Sequence, residues 1–126
     1  MTDQHTAPVI GSTGDAGIVT VRCAGDLDLG CAPRMRQALL AAVRDCARGV
    51  VADLSAATYC DSLIFSVLLE THRAARARGV PWALAADRVT VARPLAILGL
   101  DGLLPLYEDL DAAVTALGGE PATRAC

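Results

Sequence analysis

The chain has 126 residues and a mass of 13.0 kDa, which is the size of one compact domain and excludes two domains of ordinary length. With 53% hydrophobic and 20% charged residues, it has enough apolar surface to form a core, which excludes intrinsic disorder. A net charge of −3 and a pI near 5.2 argue against a direct nucleic-acid partner, because binding to phosphates usually needs a basic surface.

Membrane and metal partners are not expected either. The longest uninterrupted aliphatic stretch, Ala38 to Val43, is far shorter than the roughly 20 residues of a membrane-spanning helix. Residues 1–10 lack a positively charged start followed by an apolar run, so no secretory signal is predicted and the expected location is the cytoplasm. The five cysteines show no C-x-x-C spacing, which predicts free thiols rather than disulfides or a zinc site. We expect no metal and no other cofactor.

The first half of the chain predicts a hairpin, a helix and a buried strand. A β-branched run at 18–23 predicts a strand, with residues 8–10 as its partner across a loop at 11–16. An amphipathic helix of about four turns is predicted from Ala32 to a stop at Gly49. Its apolar face is formed by Met35, Leu39, Ala42, Val43 and Cys46. Residues 50–54 form a short apolar run between two helical patterns, which indicates a buried parallel strand.

The second half continues the alternation. A helix is predicted from Ser62 to Gly79, with Ile64, Leu68, Thr71 and Ala75 on its buried face. A strand at 80–85, a short helix at 90–98 that starts late or bends at Pro94, a strand at 103–107 and a helix from Asp109 through Leu117 follow. The pattern predicts an α/β domain over residues 1–118, with a mixed sheet opened by a hairpin and about four helices, and a frayed tail at 119–126.

The segment most informative about function is Tyr59-Cys60-Asp61-Ser62, at the start of the second helix. Asp61 is predicted to cap this helix, which leaves Ser62 in the first turn near the positive end of the helix dipole. A phosphoryl group on Ser62 would meet unpaired backbone amides there, so Ser62 is a candidate phosphoacceptor. The alternative is that Asp61 and Ser62 only cap the helix, because capping by itself favours these residue types.

A second acidic segment, Gly25-Asp26-Leu27-Asp28, directly follows the second strand. Loops that follow parallel strands gather along one edge of the sheet, so we expect Asp28 to lie near Ser62. The alternative is an ordinary solvated turn whose aspartates accept backbone hydrogen bonds.

Apolar side chains beside Ser62 suggest a protein-docking surface. Leu63 and Ser66 share the helix stripe that we assign to solvent, together with Glu70 and Arg73, and Phe65 borders this stripe. If the assigned faces were shifted by one residue, Leu63 would instead belong to the core.

An enzymatic function is not predicted. Ser62 and His72 are about 15 Å apart along one helix, which excludes a nucleophile–base pair between them, and His5 is close to the N-terminus. The chain also has no G-x-G-x-x-G turn, no P-loop and no G-x-S-x-G elbow. Catalytic residues are therefore not assigned.

Four segments together resemble the STAS domain of bacterial anti-sigma factor antagonists. They are residues 25–28, 50–55, 59–62 and 99–107, and their order and spacing match the family pattern. The resemblance implies that an anti-sigma factor that is itself a serine kinase phosphorylates Ser62 using ATP. It implies that the unphosphorylated protein binds this anti-sigma factor and frees a sigma factor for transcription, and that a phosphatase restores the unphosphorylated form. It also implies that Asp28 supports the phosphorylation site.

The chain departs from the family pattern directly after Ser62. Leu63 and Ile64 stand where the family usually has a small residue and a glycine. Two explanations remain open: the partner is specialised for this apolar surface, or phosphorylation has become slow or absent. In the second case the protein is a non-switching STAS interaction module, a scaffold or ligand sensor, in which Ser62 is only part of a helix cap.

Overall fold

The computed structural model describes residues 9–15, 17–45 and 48–118. The predicted strand residue Pro8, the helix-face residue Cys46 and the frayed tail at 119–126 lie outside these ranges, so the predictions made for them stay predictions. No helix in the described ranges has the length and apolar composition needed to cross a membrane.

The described residues form strands and helices in alternation. The strands are β1 (Val9–Asp15), β2 (Ile18–Leu27), β3 (Gly49–Leu54), β4 (Ala57–Cys60), β5 (Trp82–Ala86) and β6 (Leu106–Tyr107). The helices are α1 (Ala32–Arg44), α2 (Ser62–Arg78), α3 (Arg93–Ile97) and α4 (Leu110–Ala116), and a π-helical turn at Arg88–Ala92 leads into α3. The predicted α/β class with four helices is therefore confirmed.

The strands form one mixed sheet in the order β1-β2-β3-β5-β6, and β4 pairs with β2. β1 and β2 are antiparallel, as expected for an opening hairpin, and the other pairs are parallel. β2 pairs with β3 as far as Arg22 and with β4 from Gly25 onward. Strand β4 thus continues alongside β2 where β3 has ended, and this arrangement brings the end of β2 next to the start of α2.

Several predicted boundaries were wrong, and one strand was missed. The predicted loop at 11–16 is mostly strand, because β1 pairs with β2 up to the Asp15–Ile18 position and places the turn after Asp15. β4 was missed, because a four-residue strand is defined by its pairing with β2 rather than by its own pattern. β6 covers only Leu106–Tyr107, since the amides of Leu103 and Leu104 donate to the carbonyl oxygen of Leu100 in a turn.

The predicted helix at 90–98 is also different in the structure. Its first part is the π-helical turn, and the α-helix proper begins at Arg93. The late start is confirmed and the bend is not, since Pro94 lies in the first turn of α3. A proline is well accommodated there, because the amide donors of a first turn have no partner within the helix.

Helices cover both faces of the sheet. The larger core lies under α1 and α2 and includes Leu39, Ala52, Leu54 and Leu68. A smaller cluster under α4 contains Ile18, Val51, Ala83, Ala85 and Ala113. All six residues of β3 are buried, as expected for a central parallel strand covered on both sides. The predicted buried face of α2 is confirmed, since Ile64, Leu68, Thr71 and Ala75 are all buried.

Candidate functional site

Helix α2 begins at Ser62 and is capped by the preceding residue. Asp61 has an extended backbone, with φ −68° and ψ 153°, and its side chain accepts a hydrogen bond from the amide of Leu63 at 3.0 Å. This is the cap that the sequence predicted, and it satisfies one of the donors that a helix start leaves free. Ser62 is therefore held as the first residue of the helix.

Ser62 is exposed to solvent. The residue lies on the surface, and α2 starts at this residue rather than several residues away. The positive end of the α2 dipole is at this position, so an added anionic group is favoured electrostatically.

The β2–β4 pair brings Asp28 to the same edge as Ser62. Leu27 and Cys60 are register partners at the carboxyl ends of these parallel strands, and the amide of Asp61 donates to the carbonyl oxygen of Leu27 at 2.9 Å. Asp28 directly follows β2, and Asp61 directly follows β4. The sequence prediction that Asp28 lies near the start of α2 therefore agrees with the strand register.

Asp28 also has a structural function of its own. Its Oδ1 atom accepts hydrogen bonds from the amides of Gly30 at 3.0 Å and Cys31 at 3.3 Å, just before α1. The predicted turn, in which an aspartate accepts backbone hydrogen bonds, is therefore confirmed for Asp28. The residue is also exposed and lies at the same edge of the sheet as Ser62. One carboxylate orders the loop that carries Leu29.

A second hydrogen bond ties β2 to β4 close to this edge. The hydroxyl of Thr58 donates to Oδ1 of Asp26 at 2.6 Å. The pairing shifts register between Gly25 and Asp26, and Gly25 adopts a positive φ of 85°, which favours glycine. Sequence reasoning missed Thr58, because its partner is distant along the chain.

The structure separates the predicted docking residues into two groups. Leu63 is 43% exposed and Ser66 is exposed, so the alternative that the helix faces are shifted by one residue is wrong. Phe65 is only 5% exposed and packs in the main core, but it also lines a groove beside Ser62, so its part in docking stays a prediction. The side chain follows Ile64 and Leu68 into the core rather than the solvent stripe.

A surface groove of about 580 Å³ opens beside Ser62. We call it the Ser62 groove, and it is lined by Leu29, Asp61, Ser62, Leu63, Phe65, Ser66, Leu69, Leu98 and Leu100. Leu29 and Leu98 are 60% and 55% exposed, which is unusual for leucine side chains that share one surface. Sequence reasoning missed both residues. An apolar residue between Asp28 and Gly30 in a polar turn was the signal for Leu29.

The nearby cysteines are poor nucleophiles. Burial raises the pKa of Cys23 and of Cys60 to about 12, and it also raises the pKa of Cys31. These thiols stay protonated at neutral pH, and the thiolate is the reactive form. Cys23, Cys31 and Cys60 are free in the structure, and among the described residues no cluster of three His, Cys, Asp or Glu side chains could hold a metal ion.

His72 is part of the core. Its Nδ1 atom accepts a hydrogen bond from Nε1 of Trp82 at 3.0 Å, and the residue is 9% exposed. Burial lowers the pKa of His72, and the charge of Arg76 lowers it further. The neutral imidazole is thus the form that the fold favours.

Comparison with known proteins assigns the family. The STAS domain family model matches residues 10–113, so the chain belongs to the STAS domain family. No curated protein sequence matches the chain significantly. The chain is similar in structure to an anti-sigma factor antagonist from Mycobacterium paratuberculosis, with a TM-score of 0.82 and 29% sequence identity over 89% of this chain and 95% of that one.

The fold is also similar to that of the anti-sigma factor antagonist SpoIIAA. Its unphosphorylated form aligns with a TM-score of 0.70 and 18% identity over 89% of this chain and 97% of that one. The phosphorylated form of SpoIIAA, described as a Bacillus cell fate determinant, aligns with a TM-score of 0.65 and 16% identity over 87% of this chain and 97% of that one.

Proposed function

We propose that the protein is an anti-sigma factor antagonist whose binding to an anti-sigma factor with serine-kinase activity is switched by phosphorylation of Ser62. The observation that carries this proposal is the exposed Ser62 at the capped start of α2 in a STAS domain. Binding frees a sigma factor for transcription, and a phosphatase restores the binding form. The similarity to the antagonist from M. paratuberculosis and to SpoIIAA, which has a phosphorylated form, supports this function.

The physical basis of the switch is the charge added beside an apolar surface. Phosphorylation brings about −1.5 to −2 charges to Ser62 at pH 7. Leu63 and Leu98 line the same groove as Ser62, so a partner that covers these side chains would bury the phosphate or repel it. A coupling of about 1.4 kcal/mol already changes affinity tenfold. An electrostatic penalty of this size on binding is therefore enough to weaken the complex with the partner tenfold.

The residues after Ser62 are compatible with phosphorylation. Ile64 is completely buried and belongs to the main core. Its β-branched side chain therefore adds no bulk on the side from which a kinase approaches Ser62. Leu63 is exposed and adds apolar surface instead, which favours a partner adapted to this surface over the loss of phosphorylation.

A second candidate function is a non-switching STAS interaction module, a scaffold or ligand sensor. The observation that favours it is the use of Asp28 and Asp61 as hydrogen-bond acceptors for backbone amides, which a purely structural site would also need. In this function Ser62 is only the first residue of a capped helix. Ser62→Ala and Ser62→Asp would then bind the partner with equal affinity.

The test is phosphorylation by defined kinases. The serine-kinase anti-sigma factors encoded in the same genome are purified one at a time and incubated with the protein and ATP. We expect one of them to add a single phosphate that peptide mass spectrometry assigns to Ser62. Ser62→Ala abolishes the modification, and the matched variant Ser66→Ala, one helical turn away on the same exposed side, does not. A complete panel that leaves Ser62 unmodified overturns the switch.

A further inference from the structure

A second groove lies between α1 and α2, next to the Ser62 groove. We call it the interhelix groove; its volume is about 420 Å³. It is lined by Leu29, Ala32, Pro33, Arg34, Arg36, Gln37, Leu63, Ser66, Val67 and Glu70. Ala32 and Val67 are buried and form its apolar floor. The groove is large enough for a large apolar side chain.

The two grooves share a rim. Leu29 and Leu63 line both of them, and these side chains are 60% and 43% exposed. A segment bound in the interhelix groove therefore covers leucines that also border the Ser62 groove. The shared rim therefore couples binding in the interhelix groove to the charge state of Ser62.

Two charged residues that line the interhelix groove, Arg36 and Glu70, form an ion pair with each other. Arg36 donates from Nε and Nη2 to the two carboxylate oxygens of Glu70, at 2.8 and 2.7 Å, and so links α1 to α2. The pairing raises the pKa of Arg36 and lowers the pKa of Glu70, so both groups stay charged and compensate each other. This bidentate pair is not available to a partner without losing a well-formed contact.

Arg34 supplies the groove with an uncompensated positive charge. It is exposed at the groove edge and forms no ion pair with any residue in the described ranges. The carboxylates Asp28 and Asp61 directly follow the paired ends of β2 and β4, at the edge of the sheet where α2 begins with Ser62. Among the described residues, the interhelix groove thus has Arg34 as its unpaired cation, and the groove that shares its leucine rim contains the phosphoacceptor Ser62.

We propose that the interhelix groove binds a segment of the anti-sigma factor that places a large apolar side chain on Val67 and a carboxylate on Arg34. This inference rests on the proposed function for the identity of the partner. Charge complementarity selects the acidic segment, because Arg34 is the groove's available cation and the Arg36–Glu70 pair is already neutral. The same acidic segment is repelled when Ser62 carries a phosphate across the shared rim. Arg34 therefore contributes to the affinity of the unphosphorylated state.

The experiment measures the affinity of the anti-sigma factor that phosphorylates Ser62, by isothermal titration calorimetry without ATP. We expect Arg34→Glu to weaken binding at least tenfold and Arg34→Gln to weaken it less. Gln37→Trp, which puts an indole into the groove without changing charge, is also expected to weaken binding. The matched control is Arg44→Glu, on the same helix and about 15 Å further along. It keeps wild-type affinity.

The outcomes separate this inference from the proposed function. Wild-type affinity in both Arg34→Glu and Gln37→Trp overturns the interhelix site, while phosphorylation of Ser62 and binding by the wild type leave the proposed function intact. Absence of both binding and phosphorylation in the wild type overturns the proposed function and this inference with it. Because Arg34 and Gln37 are exposed, their variants keep the wild-type thermal unfolding midpoint, which excludes misfolding as the cause of weak binding.

Discussion

The backbone amide of Asp61 donates to the carbonyl oxygen of Leu27 across 2.9 Å, and this hydrogen bond joins the end of β4 to the end of β2. Asp61 caps α2, and the residue after Leu27 is Asp28, whose carboxylate accepts from the amides that lead into α1. The starts of two helices are thus connected through one pair of strand ends. A protein that contacts Ser62 also meets the loop that carries Leu29.

Charge at Ser62 is expected to decide partner affinity. Ser62→Asp introduces a negative charge at the edge that already carries Asp28 and Asp61, so we expect at least tenfold weaker binding of the anti-sigma factor, while Ser62→Ala stays near wild type. Titration calorimetry measures both variants. Ala112→Asp, an exposed position on α4 across the sheet, adds the same charge elsewhere and keeps wild-type affinity. Equal affinity of the alanine and aspartate variants at Ser62 would support the non-switching module.

Removal of the α2 cap is expected to lower stability without touching the core. In Asp61→Ala the amide of Leu63 loses its acceptor, so the free energy of unfolding falls by about 1 kcal/mol. Asp61→Asn keeps a capping oxygen and loses much less. Urea denaturation followed by circular dichroism gives both values. A loss in Asp61→Asn as large as in Asp61→Ala would show that the charge of Asp61, rather than its hydrogen bond, is what stabilises the helix start.

Truncation of Phe65 is expected to lower stability, whereas truncation of Leu63 is expected to lower partner affinity. Phe65→Ala opens a cavity in the main core and should cost about 3–5 kcal/mol of unfolding free energy. Leu63→Ala removes a side chain that is 43% exposed, so stability changes by less than about 1 kcal/mol while affinity for the anti-sigma factor falls. Denaturant unfolding and calorimetry together separate the two effects. Large destabilisation by Leu63→Ala would contradict its position on the docking surface.

Stability is expected to depend on the titration of His72. Its pKa in the folded protein lies below the ordinary value of 6.5, so the unfolded chain binds the proton more tightly. The contribution of neutral His72 is present above pH 6.5 and is lost as the pH falls from 6.5 toward the lowered pKa of the folded state. Protonation at Nδ1 also removes the acceptor for Trp82. Below the lowered pKa the stabilisation by neutral His72 is completely lost, and the free energy of unfolding no longer depends on the titration of this residue.

Urea unfolding at a series of pH values, followed by the fluorescence of Trp82, measures this dependence. His72→Gln removes the titrating group and is expected to have a smaller decrease in stability between neutral pH and pH 5. His72→Gln also lowers stability at pH 8, where the wild type still has its buried hydrogen bond. Identical pH slopes for wild type and His72→Gln would contradict a lowered pKa at this position.

Local patterns in the sequence determined several features of this protein. The helix that starts after Asp61 and its buried face through Ile64 and Leu68 follow from capping chemistry and a 3.6-residue period, which act within one or two turns. The family resemblance also depends on short segments in a specific order. These features need no knowledge of what lies on the neighbouring strand.

Contacts between distant segments decided the rest. β4 exists because Ala57–Cys60 pairs with the end of β2, and the Ser62 groove exists because Leu29, Leu63 and Leu98 come from three distant segments of the chain. Phe65 is buried by the packing of α2 on the sheet, although its position on the helix also allows partial exposure. The physical reason is that burial and strand pairing depend on surfaces brought together by folding, whereas helix caps and periodicity are local properties of the chain.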